Sequence, residues 1–258
     1  MSRSWFFLLM LLIAPGPGSS LLAQSTGIPL LSNGNSELAL SVQAGVANLM
    51  VNDDRHRVFT AVARPAFAVA SWMDVYAYLG LVRQKVEFGD PLRADLKGNA
   101  SVLYGAGVTL QLPWRGPGRS RIYAGTQMAF FAPGGTSYEN LNAQNDGLRR
   151  IRNTTYEWRQ FQSSLFLAYP LNKVEFFMGL ELILRNIRTV TTVQLQQEQS
   201  VVPVNRTALP YLEQTLVAPS MGFNVRLPHR HQLGVQLRGL GSGDFGLFIG
   251  LSQTGTLD

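Results

Sequence analysis

No cysteine occurs among the 258 residues, so disulfides, thiolate metal sites and a lipid-anchoring cysteine are excluded. Only three histidines are present, His56, His229 and His231. Charged residues make up 15% of the chain, which is little for a soluble sandwich with a charged outer face. Past the first residues no apolar run reaches the roughly 18 residues that a membrane-spanning helix needs. The net charge is +6 and the pI about 9.9. With no helical Lys/Arg stripe and no zinc-ligand spacing, this basic balance does not read as nucleic-acid binding. It points to anionic lipid, lipopolysaccharide phosphate among it, or to a mildly basic surface with no partner.

What is present begins with a targeting pattern. Arg3 supplies a positive start, Trp5 to Ala14 is a short apolar core, and Pro15 to Gly18 breaks it. Residues 1–23 are expected to be a cleaved signal peptide, with Gln24 opening the mature chain and residues 24–36 forming a periplasmic tail. Residues 37–258 carry a different signal, strict alternation.

Ala100 to Phe131 shows it best. Ala100, Val102, Tyr104, Ala106, Val108, Leu110 and Leu112 fall on one face, and Ser101, Leu103, Gly105, Gly107, Thr109 and Gln111 on the other. A turn at Pro113 to Gly118 follows, and then Ile122, Ala124, Thr126, Met128 and Phe130 alternate with Tyr123, Gly125, Gln127 and Ala129. Period two indicates strands. Each run has about the 9–11 residues that a tilted strand needs to cross a bilayer. The same alternation recurs at Glu37–Leu49, Val58–Ser71, Val75–Phe88, Tyr156–Tyr169, from Val174 onward, Tyr211–Leu227, and in two runs after Arg230. The count is about ten antiparallel strands, an even number that brings both chain ends to one side. Connections on that side are mostly short, and those opposite are mainly long and polar: Gly89–Asn99, Ala132–Thr155 and Gln196–Pro210. Asn52–Arg57 reads as a charged loop. Pro65 and Pro219 fall inside strands, where a ladder donor is lost, and β-bulges are expected at both.

This pattern resembles the small outer-membrane β-barrels of Gram-negative bacteria, the OmpA-like and porin-like class of eight- to ten-stranded barrels. The resemblance covers about Glu37 to Ser252 and carries no functional residues. It implies an all-β, transmembrane, up-and-down barrel in the bacterial outer membrane. One departure stands out: such barrels usually close on an aromatic residue, whereas here the last aromatic is Phe248.

For function, the inward-facing charges Arg64, Glu181, Arg185, Arg226 and Arg238 are the candidate lumen network, with Arg121 and Glu175 on the same face. A barrel this narrow is filled by its own side chains, so such charges must pair or be wet. Glu181 is expected to pair with an arginine, Arg185 being nearest in sequence. Arg149, Arg150 and Arg152 form a basic cluster suited to lipopolysaccharide phosphate or an acidic partner loop. Asp53, Asp54 and His56 offer a weak hydrolase pattern, and His229 and His231 a weak metal pair. Gly105–Ala106–Gly107 lies within a strand and is no phosphate loop. Trp72, Trp114, Trp158, Tyr156, Tyr169 and Tyr211 fall near strand ends and are expected to anchor at the membrane interface. No cofactor, metal or catalytic residue is expected. Three functions stay open: a structural, interaction or narrow porin-like barrel; an accessory or adhesin-like subunit binding a partner protein through its long loops; and a rim-located hydrolase.

Overall fold

A computed structural model describes residues 37–51, 54–88, 95–112, 114, 120–140, 149–197, 200–239 and 245–256. The expected signal peptide and periplasmic tail lie outside them. Among the described residues twelve strands occur in this order: β1 (Glu37–Val51), β2 (Asp54–Ala70), β3 (Met73–Glu87), β4 (Leu96–Gln111), β5 (Arg121–Phe131), β6 (Gly134–Asn140), β7 (Arg149–Leu171), β8 (Val174–Gln197), β9 (Ser200–Ala208), β10 (Leu212–Arg226), β11 (His231–Gly239) and β12 (Phe245–Thr256). Ten of them close an antiparallel ring in the order β1, β2, β3, β4, β5, β7, β8, β10, β11, β12, and back to β1. The other two continue strands of the ring beyond a proline. β6 follows β5 after Ala132–Pro133, and β9 precedes β10 across Leu209–Tyr211 with Pro210 between. Single backbone bonds bridge both breaks, Tyr156 N–H to the Pro133 carbonyl and Leu209 N–H to the Thr189 carbonyl, each 2.9 Å.

The expected long loop Ala132–Thr155 is therefore largely strand. β6 pairs with β7 from Gly134↔Thr155 to Asn140↔Arg149, and β7 pairs with β8 along its whole length. Gln196–Pro210 is likewise mostly β9, paired with β8. The tall β7–β8 pair, 23 and 24 residues, supplies the template. Once a hairpin exposes unpaired N–H and C=O groups above the bilayer, any extended neighbour satisfies them. The expected loop Asn52–Arg57 is also shorter, since β2 begins at Asp54.

No register shift marks Pro65 or Pro219, so neither expected bulge forms. The β1–β2 ladder runs through Leu40↔Pro65, and the β8–β10 ladder through Leu180↔Pro219. The β2–β3 ladder skips Arg64 and Pro65 and resumes in the same register, while β10 meets β11 only from Ser220. A strand residue directs its N–H to one neighbour only, so the loss of a donor falls on one ladder and leaves the other intact. A proline does accompany a shift in β9, where Val193↔Asn205 is followed by Gln194↔Pro203.

Alternation sorts the wall as expected. Val42, Leu79, Leu81, Val102, Met178 and Leu180 are exposed on the outside, each more than half accessible, and form an apolar belt. Leu103 is buried inside, as its parity requires. β12 runs to Thr256 and pairs with Glu37, so the ring closes without a terminal aromatic. Phe248 turns inward and lies over Gly45, directly across the β1–β12 ladder, where a Cβ would strike the ring.

Candidate functional site

The interior has three layers. The outer layer, away from the chain ends, is mainly apolar: Val58, Val62, Val82, Val86, Leu96, Leu103, Phe131, Trp158, Ile183 and Ile187 form one buried cluster. At the end nearest Glu37 and Thr256, Tyr123, Phe166, Ala168 and Phe177 form a smaller one. Between them lies a polar waist centred on Glu181, whose side chain and that of Arg238 are both 0% accessible.

Glu181 and Arg238 form a two-point ion pair. Arg238 Nε donates to Glu181 Oε1 at 3.0 Å, and its terminal Nη2 donates to Oε2. Gln236 Nε2 donates to Oε1 at 2.8 Å, and Gln162 Nε2 donates to Oε2. Four donors thus surround one buried carboxylate, which a desolvated charge requires. The chain of bonds continues across the lumen: Gln127 Nε2 donates to Gln162 Oε1 at 2.9 Å, and the Tyr76 hydroxyl donates to Gln127 Oε1 at 3.2 Å. The Arg64 guanidinium lies 4.9 Å from the centre of the Tyr76 ring, and that of Arg238 lies 5.2 Å from Phe248. The void beside Glu181, lined by Tyr76, Gln127, Gln162 and Phe166 among others, has about 10 Å³, space for about one water. These bonds link β3, β5, β7, β8 and β11 in a chain around the waist, each step joining strands no more than two places apart in the ring.

Room for the tyrosines comes from β4. Tyr78 faces Gly105 and Tyr76 faces Gly107 across the β3–β4 ladder, and each phenol lies where a Cβ would stand. The Tyr78 hydroxyl donates to the Met128 carbonyl beyond Gly105. The glycines that read in sequence as a small inner face are there to let aromatic rings cross the sheet.

Of the five residues expected in the lumen network, Arg64, Glu181, Arg185 and Arg238 are buried inside. Arg226 is not: it is exposed at the end of β10, where its N–H donates to the Lys173 carbonyl at 2.8 Å. Its parity is inward, but the last residue of a strand extends past the ring and into solvent. Arg185 does not pair with Glu181. Four residues apart on one strand, the two are roughly 13 Å from each other. Arg185 donates to Gln160 Oε1 at 3.3 Å and its guanidinium lies 5.0 Å from the Trp158 ring. Arg238 wins because β11 pairs with β10 and β10 with β8, so its side chain reaches Glu181 from two strands away, over Ala218. At the lower mouth, the Tyr123 hydroxyl donates to Glu175 at 3.4 Å.

Arg149, Arg150 and Arg152 stand at the start of β7, opposite Asn140, Glu139 and Ser137 of β6, not in a loop. They lie far above the apolar belt, which ends on β7 near Phe161. The arginines just above the belt are Arg159 and Arg188, whose guanidinium groups lie 5.2 and 5.9 Å from the Tyr211 ring. Trp72, Tyr169 and Tyr211 are exposed, as interfacial rings are. Tyr156 and Trp158 are buried in the lumen, in contrast. They share parity with Gln160 and Gln162, and that parity, rather than nearness to a strand end, was the usable signal.

His56 is also a lumen residue, 1% accessible, with its Nδ1 against Gln84 Nε2 and its ring edge-on to Tyr156 at 5.2 Å. Asp53 lies outside the described residues. An amide, not a carboxylate, orients this imidazole. His229 and Arg230 both have positive φ, 58° and 61°, within a tight turn closed by Leu227 N–H to the His231 carbonyl at 2.9 Å. Among the described residues no cluster of three His, Cys, Asp or Glu is placed to hold a metal.

No family model matches this chain, and no curated protein does. Solved structures do. The chain is similar to the translocator domain of the autotransporter NalP from Neisseria meningitidis, with TM-score 0.50 and 12% identity over 84% of this chain and 87% of that one. The chain folds as a Gram-negative outer-membrane β-barrel. Two further similar structures are the transport unit of the autotransporter AIDA-I from Escherichia coli (TM-score 0.42, 10% identity, 90% and 94% covered) and the β domain of the Bordetella autotransporter BrkA (TM-score 0.41, 8% identity, 85% and 99% covered).

Proposed function

We propose that this outer-membrane barrel has a structural and interaction role, with a waist closed to solutes at rest and no enzyme activity. The observation that carries the reading is the buried Glu181–Arg238 pair, whose carboxylate takes further bonds from Gln162 and Gln236 and leaves a void of about 10 Å³. A permanently open porin-like path needs a wet lumen at this level. Opening would require the Glu181–Arg238 pair to part, which makes any narrow channel a gated one. Lipopolysaccharide is the lipid partner, its phosphates meeting Arg149, Arg150 and Arg152 on the tall strands and Arg159 and Arg188 nearer the belt.

The accessory or adhesin-like reading has its own support. β6, the upper halves of β7 and β8, and β9 rise above the belt as a sheet, and Tyr138, Val201 and Val202 are exposed on it. Large exposed apolar groups outside the bilayer mark partner surfaces.

Planar-bilayer recording tests the first reading: the wild type should show no steady conductance, and Glu181→Gln should show discrete openings. Steady wild-type conductance would defeat it. Cross-linking in intact cells from a residue beside Val201 tests the second, and recovery of lipopolysaccharide alone would count against a protein partner.

A further inference from the structure

On the outer wall, at the end away from Glu37 and Thr256, an open groove of about 490 Å³ is lined by Phe59, Arg83, Gln84, Lys85 and Gly98. Gln84 turns its side chain inward to His56, so the groove meets its backbone. The groove lies where the apolar belt ends on three neighbouring strands. On β2 the outward apolar run stops at Phe59 and gives way to Arg57; on β3 it stops at Leu81 and gives way to Arg83; on β4 Val102 is the last large outward apolar residue before Gly98. The β3–β4 ladder is bulged there, with Arg83 opposite Ala100 but Lys85 opposite Lys97. Bulges re-aim side chains. Arg83 Nε donates to the Gly98 carbonyl at 3.1 Å, and on β2 Arg57 Nε donates to Asn48 Oδ1 at 3.2 Å. Both guanidinium groups are thus held through Nε by neutral acceptors, and among the described residues neither pairs with a carboxylate. Lys85 is already engaged, with Glu87 at 2.8 Å and Asp95 at 3.5 Å. Phe59 stands opposite Arg83 in the β2–β3 ladder, which makes Arg57 its diagonal neighbour, about 7–8 Å away.

We propose that this groove seats one lipid A moiety of lipopolysaccharide, with a phosphomonoester between Arg57 and Arg83 and an acyl chain running over Phe59 to Leu81. The inference rests on the lipopolysaccharide reading above and places the lipid on residues that reading does not use. A site at the border of the belt fits an amphiphile, because its lower edge meets hydrocarbon and its upper edge meets water. The stems of Arg83 and Lys85 join Phe59 in giving the groove an apolar lining. Around it the cations Arg55, Arg57, Arg83 and Lys85 stand against the carboxylates Glu87 and Asp95, so an anion is attracted. Two free guanidinium forks select the kind of anion. A phosphomonoester brings a charge of about −1.5 to −2 and three acceptor oxygens, enough for both forks. A phosphodiester lipid brings one charge and satisfies one.

The test counts lipid A bound to the whole protein in neutral detergent by native mass spectrometry. Lipid A should bind saturably, and the double variant Arg57→Gln with Arg83→Gln should bind it about tenfold more weakly. Heat-shifted electrophoretic mobility reports an intact barrel. If the double variant forms none, Arg83→Lys takes its place; it keeps the charge but loses the fork, and should weaken binding about threefold. Unchanged binding in an intact variant overturns the proposal and leaves the contact at Arg149, Arg150 and Arg152 standing. Absence of saturable binding to the wild type overturns both. Equal competition by phosphatidylglycerol means a diester site and overturns the choice of lipid A. Equally tight binding of dephosphorylated lipid A overturns the role of the phosphate, and saturation by inorganic phosphate at the same concentration overturns that of the acyl chain.

Discussion

The waist and the outer lumen are built on the same ten-strand wall, with the same alternation, and they fill it by opposite means. The waist is filled by long polar side chains that reach across the lumen and meet: Glu181 from β8, Arg238 and Gln236 from β11, Gln162 from β7, Gln127 from β5 and Tyr76 from β3. The outer lumen is filled mainly by Val, Leu, Ile and Trp, with His56, Gln84, Gln160 and Arg185 set among them. Polar groups must be satisfied pairwise, so a waist made of them holds together as a network, and losing one member costs stability. Apolar groups need no specific partner, so that layer holds by packing alone. The difference teaches where a gate would reside: in the layer that breaks by exchange of partners.

Substitutions can break or sharpen this contrast. The largest effect is expected at the waist. Glu181→Ala leaves Arg238 buried without its carboxylate and should cost about 3–5 kcal/mol in urea unfolding, whereas joint replacement of Glu181 and Arg238 by Leu and Met should cost clearly less. A double variant as unstable as the single one would mean that the pair is not the relevant unit. In the outer lumen, Leu103→Ala should cost about 2–5 kcal/mol by the same measurement and leave bilayer conductance unchanged, because it opens a void above a closed waist. On the belt, Leu180→Arg should cost about 2–4 kcal/mol, and spin labels at Val42 and Gln43 should report lipid and interior respectively; matching accessibilities would contradict the facing assigned here. The smallest effect is expected far above both layers. Replacing Arg149, Arg150 and Arg152 by Gln should change stability by less than about 1 kcal/mol, yet weaken adsorption to lipopolysaccharide vesicles, most at low salt because exposed charges are screened.

Much of this protein was legible in the chain. Period-two alternation is a local property, so strand facing, the belt of Leu79, Val102 and Leu180, and the inward placing of Glu181, Arg64 and Leu103 follow from parity alone. The even strand number and the side on which the chain ends lie follow by counting. Parity also held what was overlooked: Tyr156 and Trp158 share a face with Gln160 and Gln162, so their burial was readable before any tertiary information.

The tertiary structure decided the rest. Glu181 chose Arg238, far away in sequence, over Arg185 four residues on, because strand pairing sets β11 two places from β8, while a strand keeps its own i and i+4 residues roughly 13 Å apart. Arg226 left the lumen because height along the barrel, unlike facing, depends on where neighbouring strands end. Segments rich in Gly, Asn and Thr became β6 and β9 because the tall β7–β8 pair offered unpaired backbone to join. The prolines at 65 and 219 passed without a bulge because a single neighbouring ladder absorbs the missing donor. Each of these outcomes depends on which strand lies beside which and where each ends, and that is settled only when the strands pair.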